Sequence, residues 1–499
     1  EKNVRRSIEA RLGIRRNAND TVLNTHPYPH ALPQNNLSMP KLPANDDPQA
    51  LRQAALDHMY IGMTNQTLMA EEGGPLLLKS GKGIHMTDIE GNRYIDVMSG
   101  MAFRNAGHGR DEIVDAMSDQ LKTMGMNVYA GITPISIQLA AKIAQLTPGD
   151  LSRTFFCGGG SEAIESGLKM AQAYHVRRGD PGRYKVISRM GSFHGTTYGT
   201  MWLGGHPGFP RSDYQPKPNN IVTVGQPHYY RDTYGSSSPE ENGERAAKDI
   251  EEAILFEGPD SVSAVIGEPV PQPLGGVVPP PNYWPMVREI CDKYGVLLVF
   301  DEVITGFGRL GEWFGADLFG VTPDILCFAK GITSGYFPVG GAISTTTIAD
   351  AFAGGRDKVW SHMFTYSAHP GGAAAAMANI NILEREGLIE NARLRGEQLS
   401  ESLREMKEKH VIVGDVRGVG LMQGIELVKD RETKEHFDPE IGVAAMLTEE
   451  LKKRGVWIRV STFILSIVPP LTITADEMDE ITGIYDEALG VIENRLGIA

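Results

Sequence analysis

Short apolar runs alternate with amphipathic stretches along the middle of the chain, from about residue 150 onward. The runs predicted as strands are TFFC, KVIS, SVSAVIG, VLLVF, DILCFA and GAIS. Between the first two, Ile164, Leu168 and Ala171 recur at helical spacing and predict a helix. Strands that alternate with helices indicate a mostly parallel sheet covered on both faces. Ligands of such sheets bind beyond the carboxyl ends of the strands.

The pattern changes after about residue 380. A charged helix is predicted over about 384–409, paired strands over VIVGDVRGVGLMQGIELV, and a final helix over about 475–495. The segment near 75–97 alternates like a hairpin, and we expect it to join this part. The pattern predicts an α/β protein with a large domain, whose mostly parallel sheet is flanked by helices, and a smaller α+β domain. The predicted boundaries are 1–55 for an N-terminal extension, 56–105 for the first part of the small domain, 106–375 for the large domain and 376–499 for the rest of the small domain.

Composition narrows the classes of function. The 499 residues are 41% apolar and 22% charged, as in a soluble globular protein of about two domains. The net charge of −14 argues against a nucleic-acid partner, because phosphates need cationic surface. No apolar run approaches the roughly 20 residues of a membrane span, so we expect no membrane partner. Three scattered cysteines without a CxxC motif fit a reducing compartment, and we expect a cytoplasmic protein.

The first fifty residues differ from the rest of the chain. Their start is basic, and the following stretch is rich in proline and asparagine, with no apolar signal-peptide core. An arginine-rich start is typical of an organelle transit peptide, but Glu1, Glu9 and Asp20 weaken that interpretation. The alternative is an extension that packs on a partner subunit or forms a loop, and both stay open.

A phosphate site is predicted in FFCGGGSEAIESGLK. A strand ends, three glycines follow, and a helix begins at Ser161, whose free N–H groups and dipole favour an anion. The alternative is a plain glycine-rich turn capped by a serine. A second pattern, G-x-G-x-x-G at Gly306, Gly308 and Gly311, is a weak dinucleotide signal, because several residues separate it from the preceding strand.

Two strand ends carry charged residues. Asp301 closes the apolar run VLLVF, and burying a carboxylate is costly unless a positive partner offsets it. Lys330 closes the run DILCFA, and a desolvated lysine has a lowered pKa and becomes a nucleophile for Schiff bases. A phosphate site, a buried acid and a reactive amine match the phosphate, the protonated ring nitrogen and the aldehyde of pyridoxal 5′-phosphate.

At this point the chain closely resembles the class III pyridoxal-phosphate aminotransferases, which include the ω-amino acid and amine transaminases. The resemblance covers about residues 60–495. The blocks that carry it are LLVFDEVITGFGRLGEWFG, VTPDILCFAKGITSGYFPVGG, GGGSEAIESGLKMA, SFHGTT, GEPVPQPLGG, FTYSAHP and VRGVGLMQGIEL. It implies the type I pyridoxal-phosphate fold, with residues 106–375 as the cofactor-binding domain. It also implies a homodimer, or a dimer of dimers, with active sites shared across the interface and no metal.

The resemblance assigns roles around the cofactor ring. Lys330 resembles the lysine that forms the Schiff base and later moves the substrate proton. Asp301 resembles the acid that faces the ring nitrogen. Val303 and Phe193 resemble the residues that pack on the two ring faces, with His194 behind Phe193. The family more often has tyrosine where Phe193 stands, so a phenolic hydroxyl is lost while the stacking face is kept.

Further roles concern the phosphate and the substrate. Gly160 and Ser161 match the phosphate cup, and Thr365 resembles the threonine that reaches the phosphate of the neighbouring subunit. Glu268 matches an acid near the cofactor hydroxyl. Arg459 resembles the arginine that pairs with a substrate carboxylate. Gly159 stands where the family usually has serine, so the cup is expected to hold phosphate with one hydroxyl fewer.

Tyr129 and Ala102 are also expected on the substrate side. Ala102 stands where many amine transaminases have a tryptophan that lines the pocket. Replacing an indole by a methyl group opens space, which favours amines with a long or bulky chain. The alternative is that Met101 or Phe103 refills that space.

The resulting expectation is a ping-pong aminotransferase. It moves an amino group from an amine or ω-amino acid to a 2-oxo acid such as pyruvate. The first alternative is another enzyme of the same fold, namely an amino-group mutase, a racemase or a decarboxylating transaminase. The second is a non-catalytic member that serves as a binding or scaffold protein, against which the intact Lys330 and Asp301 argue.

Overall fold

A computed structural model describes residues 42–126, 131–206, 211–458, 460–461 and 463–498. The chain divides into two compact units, Glu1–Pro75 and Leu76–Ala499. In the described part of the first unit, helices span Pro48–His58 and Gln66–Glu71. The first begins where the carboxylate of Asp47 accepts a hydrogen bond from the Ala50 N–H. Most of the expected N-terminal extension lies outside the described residues, and the expected domain boundaries stay a prediction.

The second unit contains three sheets and the helices that cover them. Its strands are β1 (Leu78–Lys82), β2 (His85–Asp88), β3 (Arg93–Asp96), β4 (Leu151–Cys157), β5 (Lys185–Arg189), β6 (Ile221–Val224), β7 (Val262–Gly267), β8 (Leu297–Asp301), β9 (Ile325–Phe328), β10 (Gly340–Thr345), β11 (Val413–Val419), β12 (Met422–Leu427), β13 (Val456–Trp457), β14 (Val460–Ser461) and β15 (Ile464–Ile467). Its α-helices are Ser99–Ala102, Asp111–Thr123, Pro134–Leu146, Gly160–Arg178, Pro239–Glu257, Tyr283–Tyr294, Gly315–Phe319, Thr346–Asp350, Pro370–Arg385, Leu388–Lys409, Val443–Lys453 and Ala475–Leu496.

The largest sheet is the scaffold of the chain. Its strand order is β4-β10-β9-β8-β7-β5-β6. The pairs from β6 through β9 are parallel, whereas β10 runs antiparallel to both β4 and β9. The prediction of a mostly parallel sheet is therefore confirmed. The carboxyl ends of β5, β7, β8 and β9 lie at one edge, where a ligand is expected.

Helices cover both faces of this sheet, which explains its continuous apolar strands. Phe300 packs its ring against Trp284 of the helix Tyr283–Tyr294, with ring centroids 4.6 Å apart. The neighbouring Val299 points to the opposite face and joins an apolar cluster with Ile164 of the helix Gly160–Arg178. Burial on both faces contributes roughly 1.5–3 kcal/mol for each such side chain, so the sheet gives its edge a rigid frame.

The two smaller sheets confirm the predicted α+β part. One has the order β1-β2-β3-β13 and joins the early hairpin to a late strand, and the other has the order β11-β12-β15-β14. The predicted helix over 384–409 is wrong at its start, since one helix ends at Arg385 and the next begins at Leu388. Gly387, with φ of 61°, separates them in the left-handed region. No helix among the described residues is long and apolar enough to cross a membrane.

Candidate active site

A cavity of about 150 Å³ lies at the carboxyl edge of the large sheet. It is lined by Gly160, Ser161, Phe193, His194, Gly195, Glu268, Val270, Gln272, Pro273, Asp301, Val303, Ile304, Thr305 and Lys330. All eight residues expected to hold the cofactor from within one chain are in this set. They come from different strand ends, so the sheet brings together residues that are far apart in sequence.

Lys330 follows β9 and faces the cavity from a half-buried position. Its pKa is lowered to about 8, mainly by burial and in smaller part by the Arg309 guanidinium, while the Asp301 carboxylate opposes the change. The backbone of Lys330 is left-handed, with φ of 49°, which is strained for a residue with a Cβ. The lowered pKa leaves a fraction of the amine neutral near neutral pH, and the role of Lys330 as a nucleophile stays a prediction.

Asp301 ends β8 and is almost completely buried. Its Oδ2 accepts a hydrogen bond from Nδ1 of His194 at 2.7 Å, and its Oδ1 accepts one from the Val303 N–H at 3.0 Å. Each carboxylate oxygen thus has a donor, and the carboxylate is held in one orientation beside the cavity.

His194 lies between two carboxylates. Its Nε2 is 3.7 Å from Oε2 of Glu268, on the side away from Asp301. Burial lowers the pKa of His194, but the charges of Glu268 and Asp301 outweigh burial and leave the pKa raised. Burial raises the pKa of Glu268, but His194 and the guanidinium of Arg189 outweigh it and leave that pKa lowered. Asp301, His194, Glu268 and Arg189 therefore form a row of ionisable groups behind the cavity, in which acids alternate with bases.

The predicted phosphate cup lies where β4 passes into the helix Gly160–Arg178. Oγ of Ser161 accepts a hydrogen bond from the Thr196 N–H at 3.2 Å, so its own hydrogen remains available to donate. A Cβ added at Gly160 would lie 2.9 Å from Cγ1 of Val303, so a glycine is needed where the backbone approaches the cavity wall. The free N–H groups of the first helical turn add donors. These residues fit a phosphate group.

Phe193 and Glu268 form another part of the wall. The Phe193 N–H donates to Oε1 of Glu268 at 3.0 Å, which fixes the loop that carries the ring. Nη2 of Arg189 in turn donates to the backbone oxygen of Glu268. The loop after β5 and the loop after β7 are therefore tied together at the cavity.

The remaining expected site residues lie elsewhere. Thr365 is exposed in a turn and does not line the cavity. Tyr129 and Arg459 lie outside the described residues. Ala102 is buried in an apolar cluster with Val270 and Ile304, both of which line the cavity, so it lies directly behind the wall in the single chain.

Neither residue proposed to refill the space at Ala102 belongs to that cluster. Met101 is 58% exposed. The ring of Phe103 lies against Gly335, where an added Cβ would be 2.5 Å from Cδ2 of the ring. The role of Ala102 in pocket size stays a prediction.

The sequence did not point to Gln272 and Thr305, which line the cavity, or to Arg189, which hydrogen-bonds Glu268 behind the wall. Gln272 donates through Nε2 to Oγ of Ser466 at 3.0 Å, a contact that no local pattern announces. Arg189 is different, because it ends the apolar run of β5 just as Asp301 ends β8. Its position as a charged residue at the end of an apolar run could have identified Arg189 from the sequence.

Comparison with known proteins decides the family. Residues 68–489 match the aminotransferase class-III family. The chain belongs to it. Putrescine–pyruvate aminotransferase of Pseudomonas aeruginosa is 37% identical over 427 residues, which are 85% of this chain and 92% of that protein. The chain is therefore an enzyme that transfers amino groups, and pyridoxal phosphate is the cofactor that the family implies.

Solved structures agree with this assignment. An (S)-enantioselective ω-transaminase from Thermomicrobium roseum is 39% identical and superimposes with a TM-score of 0.85, over 89% of this chain and 98% of that one. An ω-transaminase from Pseudomonas jessenii, solved in complex with PMP, is 32% identical with a TM-score of 0.86, over 90% of this chain and 99% of that one. The predicted type I pyridoxal-phosphate fold is confirmed.

Proposed function

We propose that this class III aminotransferase moves an amino group from an amine or ω-amino acid to a 2-oxo acid such as pyruvate, in two half-reactions. The observation that carries the proposal is the amine of Lys330, whose pKa is lowered to about 8, in the same cavity as Asp301 and the phosphate cup. The similarity to putrescine–pyruvate aminotransferase supports an amine donor and pyruvate as acceptor.

Pyridoxal phosphate is the proposed cofactor. When bound, it supplies an aldehyde that takes up the amino group and a cationic ring that withdraws electrons from the substrate α-carbon. Ser161 and the first helical turn would hold the phosphate, and Val303 and Phe193 would enclose the ring. Asp301 would hold a proton at the ring nitrogen, because its carboxylate is fixed by the donors from His194 and Val303.

Lys330 has a second proposed task besides binding the aldehyde. A lysine with a pKa near the working pH is suited to accept a proton from the substrate α-carbon and then to deliver it to an adjacent atom. Its half-buried position keeps bulk water from competing for that proton. Glu268 and His194 balance each other's charge and orient the acid and the loop of Phe193.

We further propose that the active form is a homodimer, or a dimer of dimers, with Thr365 of one subunit reaching the phosphate of the other. Thr365 is exposed, and the residue before it, Phe364, lines a second cavity of about 400 Å³. That cavity is lined in part by Ile132, Ile137 and Met363, all of which are exposed in the single chain. An apolar surface of this kind is typical of a subunit interface.

The substrate side and the location complete the proposal. Arg459 would pair with the carboxylate of the 2-oxo acid, Tyr129 would line the substrate pocket, and Ala102 would leave room for a long or bulky amine.

We propose a cytoplasmic location, which is supported by Cys157, Cys291 and Cys327, all free and buried.

The decisive experiment supplies the enzyme with an amine and no 2-oxo acid. A transaminase releases one carbonyl product per active site and then stops until pyruvate is added. A racemase or mutase returns the cofactor to its starting state, and a non-catalytic protein releases nothing. Asp301→Asn should slow this single turnover, because such electrostatic groups lower the activation free energy by roughly 2–4 kcal/mol. The loss in rate should correspond to at least that increase in the barrier. A variant within twofold of the wild type would refute the role of Asp301.

A further inference from the structure

Glu302, the second acid at the end of β8, is completely buried and takes no part in the proposed chemistry. Its Oε1 accepts a hydrogen bond from the Ala316 N–H at 2.8 Å. Its Oε2 accepts one from the Gly315 N–H at 2.9 Å and another from Oγ1 of Thr305. One carboxylate therefore joins the turn after β8 to the helix Gly315–Phe319.

The backbone of Glu302 tightens the same turn. Its N–H donates to the oxygen of Cys327 on the neighbouring strand at 2.8 Å, and its oxygen accepts from the Gly306 N–H at 3.0 Å. A Cβ added at Gly306 would lie 2.9 Å from that oxygen, so the turn has no room for a side chain there. Hydrogen bonds of both the backbone and the side chain of Glu302 therefore hold this turn in place.

The turn that Glu302 closes carries much of the cavity wall. Asp301, Val303, Ile304 and Thr305 all line the cavity, and all lie within three residues of Glu302 along the chain. A shift of this turn would move the acid that faces the ring nitrogen together with the side chain that packs on the ring. Misplacement by about 1 Å is sufficient to cost roughly 100-fold in rate.

We propose that Glu302 is a positioning residue, whose carboxylate fixes the 301–305 turn so that Asp301 and Val303 meet the cofactor in the productive geometry. This inference rests on the proposed function. Burial raises the pKa of Glu302 to about 7, against the hydrogen bonds from Thr305, Gly315 and Ala316, while Asp317 adds to the increase. A glutamine retains the shape of the side chain but replaces one carboxylate oxygen by an NH2 group, which can only donate. That group would face an N–H or O–H that also donates, so at least one of these hydrogen bonds would be lost.

The test compares Glu302→Gln with a matched control on the same short helix. Oδ2 of Asp317 accepts from the Phe314 N–H at 3.0 Å, and Asp317 is exposed and does not line the cavity. Asp317→Asn therefore disturbs the helix start and removes none of the hydrogen bonds of Glu302; it removes only the charge that adds to the raised pKa of Glu302. Each variant is measured for kcat and KM, for the dissociation constant of pyridoxal phosphate, and for the pH midpoint of the absorption change of the bound cofactor.

We expect Glu302→Gln to lower kcat by about 10- to 100-fold, to weaken cofactor binding and to shift the absorption midpoint. Asp317→Asn should leave kcat and the cofactor dissociation constant within twofold of the wild-type values, and the absorption midpoint unshifted. The proposal is overturned if Asp317→Asn reproduces the losses, or if Glu302→Gln retains wild-type kcat and an unshifted midpoint. The single turnover with amine alone in the wild type tests the proposed function separately, so the two failures are distinguishable.

A second pair of variants decides the case if Glu302→Gln does not fold. Thr305→Val removes the hydroxyl that donates to Glu302 at nearly constant volume, and Thr305→Ser retains it. Thr305→Val should show the lower kcat and the shifted absorption midpoint, and Thr305→Ser should restore both. Equal values for Thr305→Val and the wild type would overturn the proposal.

Discussion

Nδ1 of His194 lies 2.7 Å from Oδ2 of Asp301, and both side chains are buried behind the cavity. Because a carboxylate can only accept a hydrogen bond from the imidazole N–H, His194 fixes the acid that is proposed to face the ring nitrogen. His194→Leu should lower kcat/KM by about 10- to 100-fold, since it removes the donor and a hydrogen bond to a charged group is worth about 1.5–3 kcal/mol. Steady-state kinetics with an amine and pyruvate check this.

The control for that variant is His175→Leu. His175 is equally buried and hydrogen-bonds the backbone oxygen of Ser263 at 2.9 Å, but it does not line the cavity. It should lose stability with little change in kcat/KM. Equal losses of activity in both variants would mean that the His194 substitution acts by destabilising the fold and not by releasing Asp301.

Lys330 gives a prediction about pH. Its pKa is lowered to about 8 by burial, so the neutral amine that attacks an aldehyde is scarce below that pH and predominant above it. The rate at which the apoprotein attaches pyridoxal phosphate should rise with pH and level off above about 8. Stopped-flow absorbance measures this rate. A rise that continues to about pH 10, as for an ordinary lysine, would contradict the lowered pKa.

Lys330→Ala should fold, bind cofactor non-covalently and show no turnover.

Gly159 offers a gain of affinity. Its φ of 176° is ordinary extended backbone, and an added Cβ would meet nothing within 4 Å. Gly159→Ser should therefore fit, cap the helix and add a hydroxyl near the phosphate. One further hydrogen bond of about 1 kcal/mol would lower the cofactor dissociation constant about fivefold.

The neighbouring glycine is the matched control for Gly159→Ser. A Cβ at Gly160 would lie 2.9 Å from Cγ1 of Val303, so Gly160→Ser should weaken cofactor binding. Fluorescence titration of the apoproteins measures both constants. Weaker binding by Gly159→Ser than by the wild type would show that position 159 does not face the phosphate.

Thr365 gives a prediction about assembly. If it reaches the phosphate of the neighbouring subunit, cofactor affinity and dimerisation are linked, and removing the cofactor should weaken the dimer. Sedimentation of holo- and apoprotein measures this. Thr365→Val should weaken cofactor binding. The same change at Thr346, an exposed residue that begins the helix after β10 and does not line the cavity, should not. A fully active monomer would contradict the shared site.

Ala102 gives a prediction about substrate size. We expect the wild type to prefer long or branched amines, and Ala102→Trp to shift the preference toward small ones, because the indole would push into the wall at Val270 and Ile304. The measurement is kcat/KM for a graded series of amines. A wild type that already prefers the smallest amines, with an unchanged order in the variant, would contradict the pocket argument.

The sequence predicted the parts of the site that lie at strand ends. Lys330, Asp301 and Ser161 each follow an apolar run, and a parallel sheet necessarily gathers such ends at one edge. Gln272 escaped prediction because its position depends on a contact with Ser466, which is distant in sequence. Thr305 escaped because it lies in the short turn after β8, where no periodic pattern shows which side chain faces the cavity. The helix break at Gly387 escaped because charged residues continue across it without a change of pattern. Local periodicity carries no information about which loop a side chain meets.

The left-handed backbone of Lys330 has a consequence for enzyme engineering. A lysine grafted onto the end of a parallel strand in another scaffold would enter in the relaxed extended conformation, and its amine would point along a different direction. A transplant of this chemistry must therefore include the crowded 330–331 corner, where an added Cβ at Gly331 would lie 2.5 Å from Nδ2 of Asn105. Asn105 and the glycine belong to the minimal portable unit as much as the lysine itself does.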